Sequence, residues 1–373
     1  MGPMTNKQTA LYIKDDAIGD FLFGTAMIRE LKQKYSDVYL ICAENVLSIA
    51  ELYLPNEQIF AVDLKKFKIN PFYRQKLKRQ WRHLQPSLVV ASSLRSSFAD
   101  RVTQFFKSNA QKGEVVVAVS TDEPAPKKKR RSKIYQKLAS YPPDSEHDTR
   151  FLCGAHTTEH LLLEAVIGGS LPPERSRPYL PVEVLIQCSA NWPVAKENYF
   201  CVLPSTGDSR RTYSRQNIVK LAKQIACEAN MKAVFLSADP LPELSLLTNH
   251  TDQLTNALTN DFAVDLTTKT SIVESLALVA QAKFTLTNET GLGHASWIMG
   301  RPTVMIMPGG NFHYFHANDP NLHAVYDYRE CFDCHHRCRY KFDERFPCIE
   351  EIPLKKIEQT LKDILKKLPS TAL

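Results

Sequence analysis

No stretch of this 373-residue sequence approaches the roughly 18 to 20 consecutive apolar residues that cross a bilayer, so a helical membrane span is not expected. Its first ten residues, MGPMTNKQTA, lack the basic-then-apolar order of a signal peptide, and a cytoplasmic location is the expectation. Glycine is scarce, at 13 positions, beside 43% hydrophobic and 23% charged residues. That composition excludes a collagenous or wholly disordered chain and fits a globular protein of two ordinary domains. The net charge of +7 favours acidic partners without choosing among nucleic acid, anionic lipid and phosphorylated sugar.

Cysteine, in contrast, is plentiful for a reducing compartment. Five of the nine (Cys42, Cys153, Cys188, Cys201 and Cys227) are scattered, mostly in apolar surroundings, as small core residues would be. The other four fall in CFDCHHRCRYKFDERFPC. The order C-x2-C-x3-C-x9-C over 18 residues is that of a tetrathiolate site formed by Cys331, Cys334, Cys338 and Cys348. Zinc is expected ahead of iron, in a structural role, with His335 or His336 as a substitute ligand. The alternative is a loop of reduced, unliganded thiols.

Continuous apolar, β-branched runs recur between helical patterns: ALYIK at 10–14, VYLICA at 38–43, IFAVD at 59–63, SLVVAS at 87–92 and EVVVAVS at 114–120. Such runs predict parallel strands covered on both faces. From 121 to 150 the pattern fails around Lys127, Lys128, Lys129, Arg130 and Arg131. This stretch reads as a long exposed loop, either simply solvated or an anion-binding lid. After a proline-bearing linker the alternation restarts with YFCVLP at 199–204, AVFLS at 233–237, KFTLTN at 283–288 and TVMIM at 303–307. The expected organisation is an α/β chain of two Rossmann-like, doubly wound domains, 1–185 and 186–352, facing a central cleft. A C-terminal helix over 353–373 carries one apolar stripe and is expected to pack back on the first domain.

Three strand-to-helix junctions carry the chemistry. KDDAIGDF places Asp20 at the start of a helix, as a reactive carboxylate or as one that the helix dipole favours. Asp15 and Asp16 lie on the same loop. LPSTGDSRR offers Ser205, Thr206 and a pair of arginines suited to phosphate, yet it is neither a Walker loop nor G-x-G-x-x-G. NETGLGHASWIMGRPTV opens a helix with Glu289, Thr290 and Gly291, an anion site or a plain N-cap.

Taken together, the IGD turn, the strand-Ser-Thr…Arg loop and ETGLGHASWIMGRPTV resemble glycosyltransferase family 9, the ADP-heptose:lipopolysaccharide heptosyltransferases, over nearly the whole chain. The resemblance implies a GT-B fold and inverting transfer of a heptose from ADP-heptose to a lipopolysaccharide inner-core hydroxyl. By it, Asp20 matches the family's proposed base, and Ser205, Thr206 and Arg211 match its diphosphate ligands. Glu289, Thr290 and Gly291 match an Asp-Thr-Gly that holds sugar and phosphates. Thr270 falls at an adenine-side position, His294 at a helix-packing one, and Arg210 competes with Arg211 if the loop is one residue shorter. Glu in place of Asp at 289 bears on which sugar is held.

A carboxylate of ordinary pKa, about 3.9, suffices as a base when proton transfer is late. No acidic D-x-D site is evident, so no catalytic metal is expected. The implied partners are an ADP-sugar and an anionic glycolipid, with peripheral contact at the inner membrane and no nucleic acid. Alternatives are a family 9 transferase with another sugar nucleotide or with a protein or other glycan acceptor, a sugar-nucleotide epimerase, a nucleic-acid-binding protein, and an inactive scaffold.

Overall fold

The run TALYIK forms β1 (Thr9–Lys14), whose last five residues are buried, as a central parallel strand requires. The computed structural model describes residues 8–92, 97–109, 115–120, 134–140, 151–188, 192–245, 262–340 and 345–368. The chain divides into two units, Met1–Tyr179 and Leu180–Leu373, so the boundary precedes the expected 185/186.

In the first unit, β1 lies at the middle of a six-stranded sheet. Its neighbours are β2 (Asp37–Ala43), β3 (Ile59–Val62), β4 (Leu88–Ala91), β5 (Val115–Ser120) and β6 (Lys137–Ser140). The order is β3-β2-β1-β4-β5-β6, and every pairing is parallel. Strand β6 lies within the stretch expected to be loop from 121 to 150; a short KLAS segment has too little apolar signal to announce a strand. After β1 come two helices, Ile18–Phe23 and Thr25–Lys34, meeting at Gly24. A Cβ at Gly24 would come within 2.5 Å of the Tyr12 hydroxyl and 3.0 Å of the Lys14 stem, so only glycine lets the helices lie this close to β1.

The second unit repeats the plan with β7 (Tyr199–Leu203), β8 (Lys232–Phe235), β9 (Ala263–Asp265), β10 (Thr285–Asn288), β11 (Thr303–Ile306) and β12 (Leu322–Val325). The order is β12-β11-β10-β7-β8-β9, again parallel throughout. All residues of β7, β10 and β11 are buried.

The C-terminal helix Leu354–Lys367 corrects one expectation. Its stripe Ile357, Leu361 and Ile364 is buried in the second unit's own core with Ile225, Val304 and Val325, in place of the expected packing on the first domain. Helix amphipathicity predicts that a face is covered, but not by which domain.

Candidate functional site

In the second unit, connections run outward from β7 to β8 and β9 on one side, and from β10 to β11 and β12 on the other. The carboxyl ends of β7 and β10 therefore flank a topological switch point, where diverging loops leave a crevice for ligands. Two of the loops singled out from sequence start there: 204–212 after β7 and 289–290 after β10. Asn288, fully buried, ties them. Its side chain accepts from the Tyr213 amide at 2.9 Å and donates to the Pro204 carbonyl at 2.8 Å. Sequence reading missed this role, because an Asn at a strand end reads equally well as a helix cap.

The loop after β7 is internally braced. Thr206 Oγ1 donates to the Asp208 carbonyl (2.6 Å) and lies 2.9 Å from Thr212 Oγ1. Arg210 grips Asp208 with two bonds, at 3.0 and 2.8 Å, and its guanidinium lies over the Phe346 ring, 5.2 Å from the centroid. Arg211 instead faces Glu289, at 3.5 Å. Of the two arginines, Arg211 is thus the one held at the switch point, and Arg210 is a strut of its own loop. Ser205 Oγ accepts from Ser237 Oγ, at the end of β8, at 3.1 Å.

Glu289 is held from two sides. Besides Arg211, His294 Nε2 lies 3.7 Å from its other oxygen. Trp297 Nε1, which can only donate, is 3.2 Å from His294 Nδ1, so Nδ1 bears a lone pair and the neutral ring's proton sits on Nε2, toward Glu289. Burial pushes the Glu289 carboxyl up, but His294 and Arg211 outweigh it and hold the pKa below the usual carboxylate range. His294, buried against Trp297 and Phe315, is accordingly a packing and orienting group.

Thr290 caps the helix Gly291–Ile298, accepting from the Gly293 amide at 3.0 Å. The plain N-cap reading thus holds for its side chain. The same cap sets the helix N-terminus, a source of partial positive charge, at the switch point with Gly291 as first residue. A Cβ at Gly293 would meet Thr287 at 2.9 Å, which fixes how closely this helix approaches β10. Thr270 lies before the preceding helix, Ile272–Gln281, and its hydroxyl is 2.8 Å from Ser275 Oγ.

In the first unit, Asp20 sits in the first turn of Ile18–Phe23, after β1 and beside that sheet's own switch point between β1 and β4. At the root of this loop is a buried cation that sequence reading passed over. Lys14 Nζ lies 2.7 Å from Glu159 and 2.9 Å from Asp16. Burial opposes the ammonium, but Asp16 and Glu159 hold its pKa well above the usual lysine value, with Asp20 adding to the same field. Asp16 is therefore engaged by Lys14. Glu159 gave no sequence signal, being one acid in the helical run GAHTTEHLLLEAVI.

Cys331, Cys334, Cys338 and Cys348 line one small cavity with Gly309, Gly310, His336 and Phe346. The Gly309 amide donates to Cys348 Sγ at 3.4 Å. Burial first, then the neighbouring thiols, pushes the Cys334 and Cys348 thiols up. As placed, however, no three or more His, Cys, Asp or Glu side chains among the described residues are disposed to hold a metal ion. The segment also touches the β7 loop: the Phe346 amide donates to the Arg210 carbonyl at 2.8 Å. Lys127, Lys128, Lys129, Arg130 and Arg131 lie outside the described residues.

Residues 172–341 match the family described as glycosyltransferase family 9 (heptosyltransferase). No curated protein matches the chain in sequence. Solved structures show the same fold at low identity. Escherichia coli ADP-heptose LPS heptosyltransferase II aligns with a TM-score of 0.68 at 14% identity, over 96% of this chain and 99% of its own. E. coli heptosyltransferase WaaC with ADP-2-deoxy-2-fluoro heptose gives 0.65 at 14%, over 95% and 99%. The dodecameric iron-containing heptosyltransferase TibC, in complex with ADP-D-β-D-heptose, gives 0.52 at 13%, over 97% and 78%. The parallel-sheet pair is thus the two-domain Rossmann-like architecture of GT-B transferases.

Proposed function

We propose that this chain, a glycosyltransferase by the family 9 domain at residues 172–341, moves a heptose from ADP-heptose to a hydroxyl of an anionic glycolipid, the lipopolysaccharide inner core, with inversion at the anomeric carbon. The observation that carries the reading is the convergence at one switch point of Ser205, Thr206, Arg211, Glu289 and a helix N-terminus. Hydroxyls, a guanidinium and oriented amides together suit a diphosphate, and an ionised carboxylate suits sugar hydroxyls. That two of the similar solved structures hold ADP-heptose or its fluoro analogue supports the donor.

In this reading the acceptor oxygen attacks the anomeric carbon as its proton passes to the Asp20 carboxylate. The carbon–oxygen bond to the diphosphate breaks, and ADP leaves with the electron pair. Arg211 and the amides at Gly291 stabilise the negative charge that develops on the phosphate, the work a divalent ion does elsewhere. Lys14, held by Asp16 and Glu159 at the root of the same loop, feels the Asp20 carboxylate and fixes the charged surroundings in which Asp20 works. Glu289 reaches one methylene further than the family's Asp, which favours a sugar set slightly back; another ADP-sugar is the second reading on that ground.

The cysteine cavity belongs to the same proposal. Four thiols without a carboxylate among them suit a tetrahedral zinc or iron, and an amide donating to Cys348 Sγ is what a bound thiolate accepts. TibC is described as iron-containing, which raises iron beside zinc. Binding would draw the thiols closer than they now stand, and its role would be structural. The setting proposed is the cytoplasm, at the inner-membrane face, and among the described residues no helix is long and apolar enough to cross a membrane.

The test is turnover of ADP-heptose with a truncated glycolipid acceptor, followed by mass spectrometry. The glycosylated acceptor and ADP are expected in equal amounts. In the Asp20→Asn variant kcat should fall by roughly 10² to 10⁴ with ADP affinity retained. Free epimerised sugar without an acceptor would instead identify an epimerase, and undiminished turnover in Asp20→Asn would remove the base.

A further inference from the structure

The two most exposed large apolar side chains among the described residues are Phe72, at 84%, and Ile69, at 76%. They stand three positions apart at one elbow, where the helix Leu64–Ile69 gives way to Pro71–Trp81. Single exposed apolar residues are ordinary on protein surfaces and need no explanation. This pair differs in its surroundings. From Leu64 through Ala99 the sequence contains no Asp or Glu, while eight Lys and Arg fall between Lys65 and Arg82. Lys65, Lys68, Lys76 and Arg79 are exposed; Asp63, the acid next to them in sequence, is paired with Lys66 at 3.0 Å, and Glu44 also acts on Lys66.

The elbow is also built rather than loose. Asp63 caps the first helix by accepting from the Lys66 amide, and Asn70 caps the second by accepting from the Tyr73 amide at 3.0 Å. Pro71 takes the first position of the second helix, where its missing N–H is no loss. The inner faces are anchored by Phe67, Leu77 and Trp81, all buried, with Phe67 edge-on to Phe98 at 4.6 Å. Phe72 therefore does not swing free; the caps and the core set it outward. Behind it, Arg74, Lys78 and Arg101 line a groove between this helix and Ser97–Asn109.

An isoleucine and a phenylalanine at the apex of a basic, acid-free helix pair are the parts of an interfacial membrane contact. The cations attract an anionic surface and the apolar tips sit among the acyl chains just below the headgroups. We propose that this elbow docks the first unit on an anionic lipid bilayer, with Ile69 and Phe72 inserted and the lysines around them at the phosphates. The bilayer is favoured over a nucleic acid because strand recognition needs aromatic faces in a groove, whereas these two side chains are largely exposed and one of them is aliphatic. The proposal rests on the glycolipid reading for its purpose, but not for its chemistry, and it is tested without any glycolipid.

Co-sedimentation of the full chain with vesicles of phosphatidylcholine alone, and of phosphatidylcholine mixed with phosphatidylglycerol, separates the outcomes. Binding is expected on the mixed vesicles only, weakening as salt rises. The doubly substituted Ile69→Ser, Phe72→Ser chain should partition about tenfold less or worse, with an unchanged melting temperature because both side chains are exposed. Phe72→Trp gives a direct readout: a blue-shifted emission on adding mixed vesicles. An unshifted emission would overturn insertion, as would equal partition of the Ser-substituted chain. Failure to bind vesicles, with retention of single-stranded RNA instead, would overturn the lipid assignment altogether. Sugar transfer to a water-soluble acceptor fragment stands apart from each of these results.

Discussion

Arg211 and Glu289 stand 3.5 Å apart across the switch point of the second sheet, one from the loop after β7 and the other from the loop after β10. The neighbouring Arg210 turns away, with two bonds to Asp208 and its face on Phe346. The two arginines are thus adjacent in sequence and different in work. Arg211→Ala should weaken ADP binding by about 1.5 to 3 kcal/mol, the loss of a charge-assisted contact, as read by calorimetry. Arg210→Ala should leave ADP affinity less affected and lower the melting temperature instead. The reverse ranking would show that the donor phosphates are held one residue earlier.

The Lys14–Glu159 pair makes a different demand. Both side chains are buried, so removing one partner strands the other charge away from water. Lys14→Met should cost about 3 to 5 kcal/mol in chemical denaturation, and joining it with Glu159→Leu should recover much of that loss. If the single and double variants were equally unstable, the pair would not be coupled as the geometry requires.

What was legible in the sequence, and what was not, follows one physical line. Strands such as TALYIK and YFCVL announce themselves because both faces are buried and nothing polar interrupts them. The short edge strands β6, β9 and β12 carry less of that signal and went unseen, as did the helices from Leu64 to Trp81, whose exposed residues mix lysine and arginine with Ile69, Phe72 and glutamine and so show no clean apolar stripe. At the site, residues that touch ligand in this reading (Ser205, Thr206, Arg211 and Glu289) lie in motifs and could be named. Those that hold them in place could not. Asn288 and Glu159 act across 75 and 145 positions of sequence, a relation that only the folded sheet creates.

Acid stability should depend on His156. Its Nδ1 accepts from the Leu152 amide at 3.1 Å and its Nε2 is 2.8 Å from Ser176 Oγ. Burial, then the nearby His160 and Arg177, lowers its pKa from 6.5 to about 4. The unfolded chain therefore takes up a proton at this position at a pH where the folded chain does not. The stability in question is complete above about pH 6.5 and is lost as pH falls toward about 4. Denaturation midpoints of His156→Gln, measured across that window, should fall less steeply with acid than those of the unsubstituted chain. Parallel slopes would place the acid sensitivity elsewhere.

The cysteine segment meets the β7 loop through Phe346, and this links metal content to donor binding. Phe346, two positions before Cys348, donates its amide to the Arg210 carbonyl and lies under the Arg210 guanidinium. His336, between Cys334 and Cys338, is near-parallel to the same ring at 6.1 Å. A metal on Cys331, Cys334, Cys338 and Cys348 would fix that stack, so elemental analysis should find about one zinc or iron per chain. Cys334→Ser should lose metal and melting temperature together, and should weaken ADP binding modestly because Arg210 and its loop lose their support. Phe346→Ala should weaken ADP binding to a similar degree while the metal stays. If Phe346→Ala changed nothing and Cys334→Ser altered stability alone, the segment would be a separate brace with no bearing on the donor loop.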